Sequence, residues 1–536
     1  MTHKVSSYIA GAWITPEDEG TPILDASTGE VIATASSTGL DFSAMVKHAR
    51  DVGGPALRAM TFTQRGLALK NLAKYLKGRA DEVYAEYGAS GATVPDSRVD
   101  VEGGIGVLFV YAGKALKELP NDTIYIEGDP ENIVDKHQGQ TIYTSPRGVA
   151  VFINAYNFPV WGMLEKLATS ILAGIPVVVK PATPTAQIAE ISFRHIIESG
   201  ILPEGAVQFV GGSIVGALDH LGGQDFILFT GSASTAARLR TSACIVERGT
   251  RFTAEADSVN ATILGPDAGV ETEEFTAFVK GIFREVTSKS GQKCTCIRRI
   301  FVPTELVEPT VEALTARLAK VVVGDPRIEG TTMGPLVSAS QRDDVASAVR
   351  ALMKGAEVRL GGPDVVPTVA SGDVERGGFF PPTVLVAQDS PGSANPRGRG
   401  FRAGRHGYPL HLDRRPRRAR LVGRGQPRGI RRQPRPPVGP LAHRADRSVP
   451  RSAAHPRPGE CRHGTPPRRR PPAAHPRRAW SRRWRRGTRW AAQRLPHDAG
   501  DQPVGRPRDD GGHHPGVEPS RRGQGARRPP LPGLPR

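Results

Sequence analysis

Two of the chain's four cysteines stand two positions apart in SKSGQKCTCIRRIFV, Ser288 to Val302, behind a Gly-Gln-Lys turn. Sulfur in such a place can pack a core, bind a metal, form a disulfide or attack a carbonyl as a thiolate. Cys294 and Cys296, with Cys244 and Cys461 far away, are too few and too uneven for a disulfide framework. No histidine or second cysteine pair lies nearby to complete a zinc set, so no metal is expected. Core packing and nucleophilic attack remain, and the surrounding elements must decide between them.

Those elements read as an α/β protein. TFTQRGLALKNLAKYLKGRADEVYAE has helical periodicity, with Leu69, Leu72, Leu76 and Val83 on one face and Thr61 or Thr63 as a cap. DTIYIEG and QTIYTSP look like the strands of a hairpin or arm near residues 122–146. After Gly148 short apolar runs (GVAVFIN, IPVVVK, AVQFVGG, DFILFTGS) alternate with helical stretches, one of them ending at Gly174. That alternation predicts a parallel, doubly wound, Rossmann-type sheet. From Arg251, TRFTAEADSVNATILG reads as the start of a second α/β domain, and the two-cysteine turn follows that domain's first long helix. The resulting division is 1–254, 255–390 and 391–536. A G-x-G-x-x-G fingerprint is absent, so any nucleotide must meet a different loop.

The net charge of +19 is unevenly spread. Of 72 Lys and Arg residues, 37 are arginines after Pro391, and the same stretch holds 8 of the 53 Asp and Glu residues. The first 390 residues are therefore acidic, and the remainder is a basic Arg/Pro-rich tail with no apolar periodicity. Such a tail is expected to be disordered, and by charge alone it suits nucleic acid. Its composition also fits GC-rich DNA read out of register. Arg399 to Pro409, RGFRAGRHGYP, can be encoded so that a one-base shift yields E-A-F-G-P-V-G-T-V-I-P. His475 to Trp490, HPRRAWSRRWRRGTRW, permits H-G-E-P-G-R-A-G-G-G-E-E-L-G-G in the same frame. A reading-frame shift near residue 390 is the preferred account. The N-terminus, MTHKVSSYIAGAW, lacks an apolar signal core, and no segment approaches the roughly 20 apolar residues of a membrane span. With so few cysteines, this predicts a cytoplasmic protein without membrane partners.

NAYNFPVWGMLEKLA, VVVKPAT, FTGSAST, FTAEADSVN and SGQKCT occur in an order and spacing that resembles the aldehyde dehydrogenase superfamily. The resemblance covers nearly all of residues 5–390. EADS, GQKCTCIRRI, DVEGGIG, YNFPVWGMLEKL and GGFFPPTVL look like its ring-cleavage branch. That branch includes the aldehyde dehydrogenase part of the bifunctional phenylacetate-degradation protein and oxidises CoA-linked semialdehydes.

The resemblance implies a role for each matching residue. Cys294 would be the nucleophile, adding to an aldehyde to give a thiohemiacetal and then a thioester. Cys296 stays a small buried hydrophobe. Glu255 would be the general base that activates the hydrolytic water, and its presence favours a carboxylic acid product over acyl transfer to free coenzyme A. Asn157 would stabilise the oxyanion together with the Cys294 backbone N–H. Lys180 would hold the adenine-side ribose, and Gly231 and Ser232 would begin the pyrophosphate-facing turn. Thr183 stands where relatives preferring NAD often carry Glu, so NADP becomes acceptable beside NAD. Ala236 stands where glycine is common. The family places Glu-x-Phe-Gly-Pro after the segment ending PPTVL, where its Glu holds the nicotinamide ribose. Here that place reads Arg399-Gly400-Phe401-Arg402-Ala403, and the later catalytic strands and oligomerisation strand are also missing. The parent family is homo-oligomeric, and the chain as written is expected to be inactive or incompletely folded beyond residue 390.

The rival reading, a nucleic-acid binder acting through the tail, would need aromatic interleaving or a folded reader. The tail offers only scattered Trp480, Trp484 and Trp490.

Overall fold

The structure is a computed structural model that describes residues 2–387 apart from Lys136, together with the backbone of Leu410–Arg414. The tail otherwise lies outside the described residues, as do Arg399 to Ala403 and all expectations attached to them.

In chain order the elements that position the site begin with α1 (Phe62–Lys77) and α2 (Val94–Glu118). An exposed antiparallel hairpin follows, β1 (Tyr125–Val134) with β2 (His137–Tyr143). Next come β3 (Ala150–Ile153), α3 (Pro159–Leu172), β4 (Val177–Lys180), α4 (Ala186–Glu198), β5 (Val207–Phe209) and β6 (Phe226–Gly231). Then come α5 (Ala233–Arg240), β7 (Arg251–Ala256), β8 (Asn260–Ile263), α6 (Glu273–Thr287) and β9 (Ile297–Val302). The last are α7 (Val307–Leu318), α8 (Ala339–Leu352), β10 (Ala356–Leu360), β11 (Val384–Ala387) and β12 (Leu410–Arg414).

The first sheet has the order β7-β6-β3-β4-β5, all parallel, and is extended at the β5 edge by antiparallel strands Ser7–Ile9 and Ala12–Ile14. The chain runs outward from β3 through β4 to β5, then returns to the other side of β3 for β6 and β7. The order reverses beside β3, and the carboxyl edge there is the usual place for a ligand in an open α/β sheet. Val177, Val178 and Val179 are fully buried, which is why VVVK is a continuous apolar run and not an alternating one.

Helix α1 is capped as the sequence suggests, by Thr61 in a reciprocal capping box with Gln64. It stops at Lys77, so Val83 belongs to the next helix, Ala80–Tyr87. Both pieces bury their apolar face, and the break at Gly78 leaves that stripe intact. Helix α3 ends where expected: Gly174 has φ +76°, and a Cβ there would lie 2.3 Å from Arg65 Nη1. Helices α2 and α3 pack closely because Gly103 lies under the Trp161 indole, 2.2 Å from where its Cβ would stand.

Two expectations change. The strand beginning at Arg251 is the edge of the first sheet, paired in register with β6 (Thr230 opposite Glu255), and the second sheet starts only at Asn260. Alternation in RFTAEA is that of an edge strand with one open face, a pattern that cannot say which sheet the strand joins. The second sheet has the order β8-β9-β12-β11-β10. Its β12 lies inside the segment expected to be unstructured, yet its backbone pairs parallel to both β9 and β11. Two strands flanking a gap leave a row of unmatched N–H and C=O groups, and a short extended segment satisfies both rows.

Candidate functional site

The turn that carries Cys294 is built by force. Helix α6 ends at Thr287, and the next residues bend sharply: Lys289 and Ser290 have φ of 49° and 54°, followed by Gly291 at 74°. Non-glycine residues avoid this left-handed region, so neighbours must hold them there. Ser290 Oγ donates to the Gly334 carbonyl (2.6 Å), and Arg298 Nη2 donates to the Gly291 carbonyl (2.8 Å). Gln292 is buried, donating Nε2 to the Lys289 carbonyl (3.0 Å) and accepting from Val337 N–H (3.1 Å).

The two cysteines then diverge. Cys296 is buried and its thiol donates to the Glu285 carbonyl (3.1 Å). Cys294 is exposed. Its carbonyl is gripped by Ser258 Oγ and by Asn260 Nδ2 (2.6 Å), and Asn260 also donates to the Cys296 carbonyl (3.1 Å). These two residues come from the segment after Glu255, so EADSVN ties the end of β7 to the cysteine turn. Sequence reading missed both, because a short polar residue in a loop carries no mark of its partner.

Asn157, just before α3, donates Nδ2 to the Gln292 carbonyl (2.9 Å). One amide hydrogen is thus committed to the turn that bears Cys294, which fixes the amide's orientation and leaves the second hydrogen available. Glu255 is exposed on β7, and its charge acts on the thiol of Cys294. About two turns into α3 lie two more groups that the sequence reading did not single out. Lys166 is buried, donates to the Gly162 carbonyl (3.1 Å) and pairs with Glu165 at 3.6 Å.

The Cys294 thiol is pushed up to about 11, first by desolvation and then by the negative charges of Glu255 and Glu165. Backbone N–H groups of Cys294 and Thr295 act the other way. Although 38% of the Glu165 side chain meets solvent, its carboxyl is raised, chiefly by desolvation. The Lys166 ammonium is lowered by burial, and Glu165 and Glu255 hold it up. The resting thiol is therefore protonated and needs a base. A pH series of iodoacetamide alkylation at Cys294 is expected to rise toward pH about 11, and Glu255→Gln should move that rise to lower pH by removing a repelling charge.

On the nucleotide side, β4 ends at Lys180, whose ammonium is lowered to about 8 by desolvation and meets no ion pair or hydrogen-bond acceptor among the described residues. Beside it, at the end of β3, Asn154 is buried with both amide atoms unpartnered. Thr183 opens the short turn Thr183–Thr185. Gly231 ends β6, and Ser232 caps α5 by accepting from Thr235 N–H (3.2 Å). Ala236 is buried one turn in. Unmatched polar groups at the carboxyl edge of β3 and β4, facing a helix N-terminus after β6, fit a dinucleotide. One donor there is already engaged: Ala233 N–H donates to Asp257 Oδ1 (3.1 Å).

Fold and site together suit a dinucleotide-dependent α/β oxidoreductase with an exposed cysteine. The pattern of the aldehyde dehydrogenase family matches residues 13–391. A 3,4-dehydroadipyl-CoA semialdehyde dehydrogenase of Aromatoleum evansii is 43% identical over 386 residues, covering 71% of this chain and 74% of that protein. Among solved structures, aldehyde dehydrogenase C of Pseudomonas syringae in complex with NAD+ and octanal shares the fold (TM-score 0.63, 22% identity, 77% of this chain, 81% of that one). An NADP-dependent enzyme of E. coli does likewise (TM-score 0.63, 23% identity, 77% and 80%). The chain belongs to the aldehyde dehydrogenase family, whose members are NAD(P)-dependent enzymes acting on aldehydes. No helix among the described residues is long and apolar enough to cross a membrane.

Proposed function

We propose that the parent of this chain oxidises a CoA-linked semialdehyde from aromatic ring cleavage to the carboxylic acid, with NADP accepted beside NAD. The relative at 43% identity acts, by its name, on such a CoA-linked semialdehyde, which supports the substrate class. The observation that carries the reading is the exposed Cys294 on a turn tethered to Asn157, under the charges of Glu255 and Glu165.

In this reading the Cys294 thiol gives its proton to solvent water and its sulfur bonds to the aldehyde carbon. The developing oxyanion meets the free Asn157 N–H and the Cys294 backbone N–H. Lys180, Thr183, Gly231 and Ser232 would hold a nicotinamide coenzyme, which when bound would accept hydride from the carbon attached to the Cys294 sulfur and leave a thioester there. Glu255 then removes a proton from the water that cleaves the thioester. Thr183 places no carboxylate against a 2′-phosphate, which supports NADP. The free thiols suit a reducing, cytoplasmic setting.

The test compares two proteins: the chain as written, and a version whose reading frame is restored near codon 390. The restored protein is expected to reduce NADP with a CoA-linked semialdehyde, and the chain as written to be silent. Robust turnover by the chain as written, or silence of both, contradicts the proposal.

A further inference from the structure

Beneath the cysteine turn lies a cluster that the chemistry above does not use. Lys289 is 7% exposed, at the most strained point of the turn. Its ammonium stands 4.8 Å from the Phe158 ring centroid and 5.5 Å from that of Tyr87. Burial lowers it, and the carboxylates of Asp100 and Asp96 act to keep it charged. Its backbone N–H donates to Asp96 Oδ1 (2.9 Å).

Asp100, fully buried on α2, faces the other way as well. It accepts from the first free amides of α3, Trp161 N–H (2.6 Å) and Val160 N–H (3.4 Å), and from Tyr87 Oη. Asp100 therefore anchors the start of the helix that follows Asn157, and the Lys289 ammonium packs over Phe158, the residue next to Asn157. A cavity of about 20 Å³, room for one water, lies between Lys289, Asn157 and Gln292.

We infer that Lys289 is a positioning residue: its buried ammonium, seated over the rings of Phe158 and Tyr87, fixes the cysteine turn against the start of α3, and so fixes the oxyanion-binding Asn157 relative to the Cys294 sulfur. This rests on the reading of Cys294 as nucleophile. Removing the ammonium releases the left-handed residues 289 and 290, and the Gln292 carbonyl drifts from Asn157. Sulfur stays accessible, but the oxyanion donors no longer converge. A cation seated over two buried ring faces makes an attraction that an uncharged side chain of equal length does not reproduce.

Two coenzyme-independent reactions on the full chain separate position from folding. Acylation of Cys294 by p-nitrophenyl acetate passes through an oxyanion, and alkylation by iodoacetamide does not. Lys289→Met is expected to slow acylation by about tenfold or more, part of the roughly 100- to 1,000-fold that loss of a whole oxyanion donor costs. Alkylation should change less than about threefold, and Lys289→Arg should recover most of the acylation. If Lys289→Met fails to fold, Phe158→Leu, which removes the ring under the ammonium and keeps apolar bulk, serves instead. Equal acylation in variant and wild type, or a parallel fall in both reactions, overturns the inference. A wild-type chain that Cys294 does not acylate at all would instead overturn the nucleophile reading.

Discussion

Cys294→Ala is expected to abolish acyl transfer to the protein, by about 10⁴-fold or more, while leaving the fold unchanged. The residue is exposed, on a turn held by Ser258, Asn260, Gln292 and Arg298 through backbone carbonyls and not through its own sulfur. Losing the sulfur therefore removes only its local contacts with the backbone N–H groups of Cys294 and Thr295. Cys296 cannot substitute, because its thiol is buried and directed at the Glu285 carbonyl. Stopped-flow release of p-nitrophenolate, with thermal melting as control, reads both parts. A burst of undiminished size in the variant would show that the acyl group goes elsewhere.

Glu255→Gln should have opposite effects on the two half-reactions. Its carboxylate raises the Cys294 thiol, so neutralising it makes the thiolate easier to form. Alkylation at neutral pH becomes faster. Hydrolysis of the thioester, which needs a proton acceptor for water, slows by about 10²- to 10⁴-fold. The variant should therefore accumulate acylated protein. Amide for carboxylate keeps the shape, so a steric explanation would predict no such split. Single-turnover acylation and deacylation rates check the point, and equal slowing of both would count against a base at this position.

These residues were legible to different degrees for physical reasons. Cys294, Glu255, Asn157 and Lys180 sit in local motifs with fixed neighbours, and a chain read in order reveals them. Parallel packing of β3, β4 and β6 was also legible, because strands buried on both faces need continuous apolar runs such as VVVK. Ser258 and Asn260 were not, since their work is to hold a carbonyl more than 30 residues away. Lys289 reads as a surface lysine until α2 brings Asp96 and Asp100 beneath it. Glu165 and Lys166 look like a solvated pair on a helix, and only the approach of β7 and the cysteine turn gives them a charged neighbourhood. The placement of β7 was misjudged for a related reason: an edge strand's alternation shows which face is buried but not which partner it chooses.

The most direct test of the central claim uses the Glu255→Gln chain, in which the acyl group should persist. The protein is treated with p-nitrophenyl acetate, digested, and the acylated peptide identified by mass spectrometry. Acyl group on the Cys294 sulfur, absent from the Glu255→Gln/Cys294→Ala double variant, is the expected result. Acyl group on Cys296 or on a lysine, or equal labelling in the double variant, would contradict it.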